Sequence, residues 1–171
     1  MLRLPITALL LASLAAQTPD CPRSAPEPVV RKAVFANSEF KLNRARTEAS
    51  ETVKLGNGDQ LTIHHSGCEY YGLSFRFNLG RPAGTPLTTR YWYPQAAALL
   101  RRIAPGIDAP VHLAQAEAAI TRAAKASPRF GQELDYGGPD IRELVVVNSA
   151  YPKKTSPGRY TLAVDVSVGP L

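Results

Sequence analysis

Histidine and cysteine are scarce in this chain, three of the first and two of the second among 171 residues. Metal centres and proton-shuttling sites near neutral pH draw mainly on these side chains, so the composition argues against a metal site and against machinery built from several histidines. Phosphate-cradling loops are missing too. No glycine-rich run ends in Lys-Ser or Lys-Thr, and Gly56-Asn57-Gly58 stands between two strand-like segments rather than before a helix. Nor is there a Gly-x-Ser-x-Gly elbow to present a serine nucleophile. The longest apolar run starts at Leu4, and its length of about thirteen residues falls short of the ~20 that span a bilayer. The expectation is therefore no cofactor, no metal and no transmembrane segment in the mature chain.

What is present suits one globular domain: 44% hydrophobic and 20% charged residues, enough for a real core. Residues 1–16 read as a secretory signal peptide, with Arg3 as the positive start, an uncharged stretch from Leu4 to Leu14, and Ala15 and Ala16 as small residues for cleavage. Thr18, Pro19 and Asp20 before Cys21 do not suit lipid attachment. Residues 17–28 carry four prolines and read as an extended N-terminal arm, leaving 29–171 as a single domain. Export to the periplasm or medium would place Cys21 and Cys68 in an oxidising compartment, where two cysteines form one bridge. Such a bridge would contribute on the order of 4 kcal/mol by loop closure. A cysteine-pair redox centre is disfavoured by the long spacing.

Loss of Arg3 with the leader leaves nineteen basic residues against fourteen acidic ones, a charge of +5. The surplus is dispersed apart from Arg101-Arg102 and Lys153-Lys154, unlike the basic, aromatic-studded stripe of nucleic-acid binders. No nucleic-acid partner is expected.

From residue 29 to 79 the apolar period is two. Val34, Phe40 and Leu42 mark early strands, Val53 and Leu55 a next, Leu61 and Ile63 a third, and Tyr71, Leu73, Phe75, Phe77 and Leu79 a fourth. Keeping apolar faces together pairs Leu55 with Leu61 across a three-residue loop at 57–59, and Ile63 with Tyr71 across a turn centred on Gly67. Helical spacing follows at about 91–104, with Trp92, Ala96, Leu99, Leu100 and Ile103 on one stripe and Pro94 placed in the first turn. A second helix is expected at about 113–126, on Leu113, Ala116 and Ile120. Strands return at 132–135, 141–149 and through Tyr160, Leu162, Val164, Val166 and Val168. Strands, two helices, strands predicts an α+β domain: an antiparallel sheet of hairpin-connected strands with the two consecutive helices on its apolar face. In that packing Leu99, Ile103 and Ile120 meet Tyr71, Leu73, Phe75, Leu162 and Val164.

The string from His64 to Tyr71 holds the densest set of reactive side chains. Consecutive histidines on a strand point to opposite faces, so His64 and His65 cannot share one metal ion. His65 is expected opposite Glu69 as a hydrogen-bonded pair at the rim of the core. Ser66 sits too near His65 in sequence to form a nucleophile–base pair. Glu69, Glu133, Asp135 and Asp140 are candidate paired carboxylates by residue type alone. Tyr91, Trp92 and Tyr93, at a helix start over a sheet, read as core anchors rather than a stacking surface.

The expected registers put Thr52, His64 and Tyr70 in one cross-strand row on the polar face, and Lys54, Thr62 and Gly72 in the next, with Arg76 further along. Lys54, His64, Tyr70 and Arg76 are accordingly the candidate binding residues, suited to an anionic protein loop or envelope component. The function expected is that of an exported, non-catalytic binding or accessory protein of the bacterial cell envelope. The alternative is a small secreted hydrolase using His64 or His65 with Glu69.

Overall fold

The computed structural model describes residues 24–67, 70–82, 84–139, 141–152 and 158–169. Cys21, Cys68, Glu69 and Asp140 lie outside them, and with them the expected disulfide, the signal peptide and the start of the arm.

Seven strands form one antiparallel sheet in the order β1-β2-β3-β4-β7-β6-β5. They are β1 Glu39–Leu42, β2 Ala49–Gly56, β3 Asp59–Ser66, β4 Tyr71–Gly80, β5 Glu133–Asp135, β6 Arg142–Pro152 and β7 Arg159–Gly169, with α1 Thr89–Ile103 and α2 Leu113–Ala124 between β4 and β5. The first four strands run side by side as a meander. The helix pair then carries the chain to the far edge, and the last three return as hairpins until β7 closes against β4. This is the α+β arrangement expected from the pattern, with helices on one face of the sheet only.

Alternation decides which face. Leu73, Phe75, Phe77 and Leu79 of β4 point the same way as Val53, Leu61, Ile63, Leu162, Val164 and Val166, and all are buried. Against them lie Trp92, Ala96, Leu99, Leu100 and Ile103 from α1 and Leu113, Ala116 and Ile120 from α2, in one contiguous core. Each large side chain fully buried there contributes about 1.5–3 kcal/mol. Trp92 and Tyr93 are wholly buried, and their polar ends are satisfied at the core margin: Trp92 Nε1 donates to the Pro86 carbonyl at 2.8 Å and the Tyr93 hydroxyl to that of Arg129 at 2.6 Å. They anchor the helix layer.

Two registers differ from expectation. The β2–β3 connection is the two-residue turn that Asn-Gly favours, with Gly56 opposite Asp59 and with Asn57 and Gly58 at φ +51° and +74°. Such a turn alone would mix the faces, but a bulge at Leu55 inserts one unpaired residue and restores them, so Val53 pairs with Leu61 rather than Ile63. Between β3 and β4, Ile63 faces Phe75 instead of Tyr71. The slide is four residues, an even number, so every side chain keeps its face. The connection is correspondingly longer than a three-residue turn.

Some boundaries also move. Val34 lies in a turn and is exposed, so the first strand starts at Glu39. Helix α1 begins at Thr89, which puts Pro94 beyond the first turn, where it deprives the carbonyl of the exposed Arg90 of its helical partner.

Candidate binding face

The helices leave the other side of the sheet uncovered, and the register lays out its side chains in rows. Arg76 sits at the centre of one row, Glu39–Thr52–Thr62–Arg76–Ala163. Beside it runs Lys41–Ser50–His64–Ser74–Asp165, and on the other side Lys54–Gln60–Asn78–Thr161–Tyr151. Seven strands at about 4.8 Å spacing make this face about 29 Å across, the width of a standard protein–protein footprint.

Its charge is divided. On the β1–β4 half Lys41, Lys54, His64 and Arg76 are exposed together with Glu39, in the row of Arg76, and Glu48, beside His64, and no ion pair to Lys41, Lys54 or Arg76 occurs among the described residues. On the β5–β7 half stand Glu133 and Asp135, both bridged to Arg142, and Asp165, which takes the Asn148 amide as a donor. Asn148 is the extra residue of a second bulge, between Val147 and Ser149. The cations of the first half are thus available to an external anion, whereas the acids of the second are partly neutralised in place.

His64 registers the field. Partial burial first, then the positive charge of Arg76 and the neighbouring His65, hold its imidazole below the ordinary value of 6.5, while Glu48 pulls the other way. Near neutral pH it is therefore mostly uncharged, and an anion docking between His64 and Arg76 would favour its protonation.

A shallow hollow of about 380 Å³ opens at the same place, lined by Lys41, Asn43, Glu48, Ser50, His64 and Ser66 among others. The loop forming its wall is held by one side chain: Asn43 Oδ1 accepts from the Thr47 and Glu48 amides at 3.0 and 3.3 Å, and Nδ2 donates to the Thr47 hydroxyl at 3.2 Å. Arg46 takes φ +59° within this loop.

Of the four residues singled out by sequence, Lys54, His64 and Arg76 share this half of the face. Tyr70 does not join His64 in a row, because the four-residue slide of β4 gives that place to Ser74. It stands at the far end of the strand, where its ring packs so close over Gly169 that a Cβ there would lie 2.4 Å from Cδ1.

His65 is not a rim residue. It is 1% exposed on the covered face, and its Nε2 lies 2.9 Å from Glu51 Oε1. The carboxylate of Glu51, equally buried, also accepts the backbone N–H groups of Val29 at 2.8 Å and Val30 at 3.1 Å. Sequence reasoning missed this pairing, since a Glu in an alternating strand reads as a break in the apolar pattern. The signal was its phase, two residues before Val53 and hence on the core side. A second pair also escaped: His112 at the start of α2 reaches Glu143 of β6 at 2.7 Å, with the imidazole largely exposed and the carboxylate buried. Tyr136 lies by the same carboxylate. Its phenol is pushed up, by burial first and then by Glu143, and stays protonated.

Among the described residues no three His, Cys, Asp and Glu side chains are grouped to hold a metal ion, and no helix is long and apolar enough to cross a membrane. Comparison with known proteins adds no assignment: no family model matches the chain, and no curated protein or solved structure is significantly similar to it.

Proposed function

We propose that the protein is an exported, non-catalytic binding protein of the cell envelope, and that the β1–β4 half of its open sheet face docks an anionic partner, an acidic protein loop or an envelope polymer. The observation that carries this reading is the set Lys41, Lys54 and Arg76, exposed on one flat face with no ion pair among the described residues, beside His64, whose imidazole is held below its ordinary value by partial burial and by Arg76. Arginine offers a planar fork for carboxylates, and the small side chains between the cations, Ser50, Thr52 and Thr62, let a partner approach the sheet closely. The alternative of a small hydrolase using His64 or His65 with Glu69 draws no support from His65, which is 1% exposed, and Glu69 lies outside the described residues.

Export rests on the leader-like residues 1–16. Peptide mapping of exported material under non-reducing conditions is expected to link Cys21 to Cys68, and two freely alkylatable thiols would contradict it.

Docking is tested by titrating the folded protein with polyglutamate and, separately, polylysine while following backbone amide resonances. Polyglutamate is expected to shift Ser50, Thr52, Thr62, His64 and Arg76, with an effect that fades as salt rises. Shifts confined to the β5–β7 half, or a response to polylysine alone, would contradict the reading.

A further inference from the structure

Basic residues dispersed along the chain gather in space on the helix layer. Between Thr89 and Arg129 stand six basic residues and two acidic ones, so this stretch holds four of the six surplus positive charges of the sequence. The two acids are occupied: Glu117 pairs with Arg101, and Asp108 lies 3.4 Å from a guanidinium nitrogen of Arg31. Arg90, Arg102, Arg122, Lys125 and Arg129 are exposed and form no ion pair among the described residues. Arg102 donates to the Leu55 carbonyl, which leaves its charge uncompensated.

Helical phase puts these cations on one surface. α1 turns Trp92, Ala96, Leu99, Leu100 and Ile103 to the sheet, so Arg90, Pro94, Ala98, Arg101 and Arg102 point away from it. α2 buries Leu113, Ala116, Ala119 and Ile120, leaving Ala114, Thr121, Arg122 and Lys125 outside. The helices run antiparallel: Arg101 near the end of α1 meets Glu117 in the first half of α2, and the Tyr93 hydroxyl near the start of α1 reaches the Arg129 carbonyl beyond the end of α2. Arg90, Arg122, Lys125 and Arg129 therefore share one end of the layer. At its rim toward β5, Arg122 lines a hollow with Glu133 and Asp135, which are themselves bridged to Arg142. Cations at a helix C-terminus suit its dipole, which accounts locally for Arg101, Arg102 and Arg122. Arg90, in the first turn of α1 with no acid there, runs against the dipole. Among the described residues neither helix exposes a large apolar side chain.

Two packed helices of this length present a surface about 22 Å long and about 20 Å wide. It offers no exposed aromatic to stack a base and no bulky anchor to fill a partner's pocket, and its spaced cations match a smeared negative charge. We propose that the outer face of the α1–α2 pair lies on an anionic bilayer, held by lipid headgroups, with the open sheet face turned away from the membrane. The apolar stripes of both helices are used by the core, so the pair rests on the headgroups without inserting. Each cation brought to such a surface strengthens partitioning about fivefold. Lys41, Lys54 and Arg76 are separated from it by the sheet and a helix diameter of about 10 Å, at least the Debye length of about 10 Å at 0.1 M salt, and take no part. This assignment is independent of what docks on the open face.

The test is co-sedimentation of the full chain, at about 0.1 M salt, with vesicles of phosphatidylcholine alone and of an equal mixture with phosphatidylglycerol. Wild type is expected to bind the mixed vesicles and not the zwitterionic ones, and to be released at about 1 M salt. Arg90→Gln, Arg122→Gln and Lys125→Gln combined, checked for folding by circular dichroism, should weaken binding about fivefold for each charge removed, whereas Lys41→Gln, Lys54→Gln and Arg76→Gln combined should change it less than about twofold. In the wild type, headgroup spin labels should broaden the amide resonances of Ala98, Thr121 and Lys125 before those of Thr62 and Ser74. The emission of Trp92, the one tryptophan and wholly buried, should hold. Equal binding to both kinds of vesicle, no binding to either, equal broadening on both faces, or equal loss from the two triple variants would overturn the proposal. So would a red shift of Trp92, which would mean that unfolding drives the binding, or helix-face resonances that respond to an oligonucleotide and not to vesicles. The wild-type broadening decides the face even if a variant fails to fold.

Discussion

His64 and His65 are neighbours in the chain and inhabit opposite sides of one sheet. His65 faces the covered side, where it is wedged between Phe40 and Glu51 and serves to fasten the arm. His64 faces the uncovered side, where it meets solvent and Arg76. The contrast extends to the whole sheet. Its covered side is a continuous apolar layer in which even Glu51 is consumed by structural hydrogen bonds, and the β1–β4 half of its open side carries Lys41, Lys54 and Arg76, without ion pairs among the described residues, amid small polar side chains. Burial and exposure are thereby assigned to alternate residues of the same strands, and substitutions one position apart should behave quite differently.

The largest effect belongs to the covered side. Phe77→Ala removes a wholly buried ring from the middle of β4 and is expected to cost about 3–5 kcal/mol in urea unfolding. Leu99→Ala, on the helix stripe, should cost about 2–5 kcal/mol, and a loss below about 0.5 kcal/mol would mean that the stripe does not hold the sheet. Glu51→Ala leaves three buried donors without an acceptor and should cost about 2–4 kcal/mol, with the arm becoming the preferred site of limited proteolysis.

How much of this division is legible in sequence depends on the quantity asked for. Faces follow from parity, so the alternation from Tyr71 to Leu79 and from Tyr160 to Val168 was enough to assign core and open sides, and the helix stripe supplied the cover. Register does not follow from parity. A slide of four residues between β3 and β4 changes which residues are neighbours without moving one of them to the other face, and this alone took Tyr70 away from His64. The Leu55 bulge is invisible for the opposite reason: parity demanded an odd correction, and the chain made it in the strand rather than in the loop. Lys54, His64 and Arg76 were placed on the right face because face is what the pattern encodes. Glu51 and His65 depend on an arm more than twenty residues away in sequence, and no periodicity connects the two.

A smaller effect sharpens the contrast on the open side. His64 should titrate below 6.5, as read from its ring proton resonances, and Arg76→Ala should move it upward by removing a repulsive charge. Because the folded state holds the imidazole below its unfolded value, the stability tied to His64 is fully present above pH 6.5 and is lost as pH falls through the lowered folded value. The neighbouring His65→Gln leaves Arg76 in place and removes only the last of the lowering causes, so it should raise His64 less than Arg76→Ala does.

The most direct measurement of the account takes one variant through two assays. Arg76→Ala should unfold in urea within about 0.5 kcal/mol of wild type, since it lies exposed on the uncovered side, and should bind polyglutamate at low salt several-fold more weakly. A variant that loses about 2 kcal/mol or more of stability while binding polyglutamate as wild type does would show that the open face holds the fold together instead of meeting a partner.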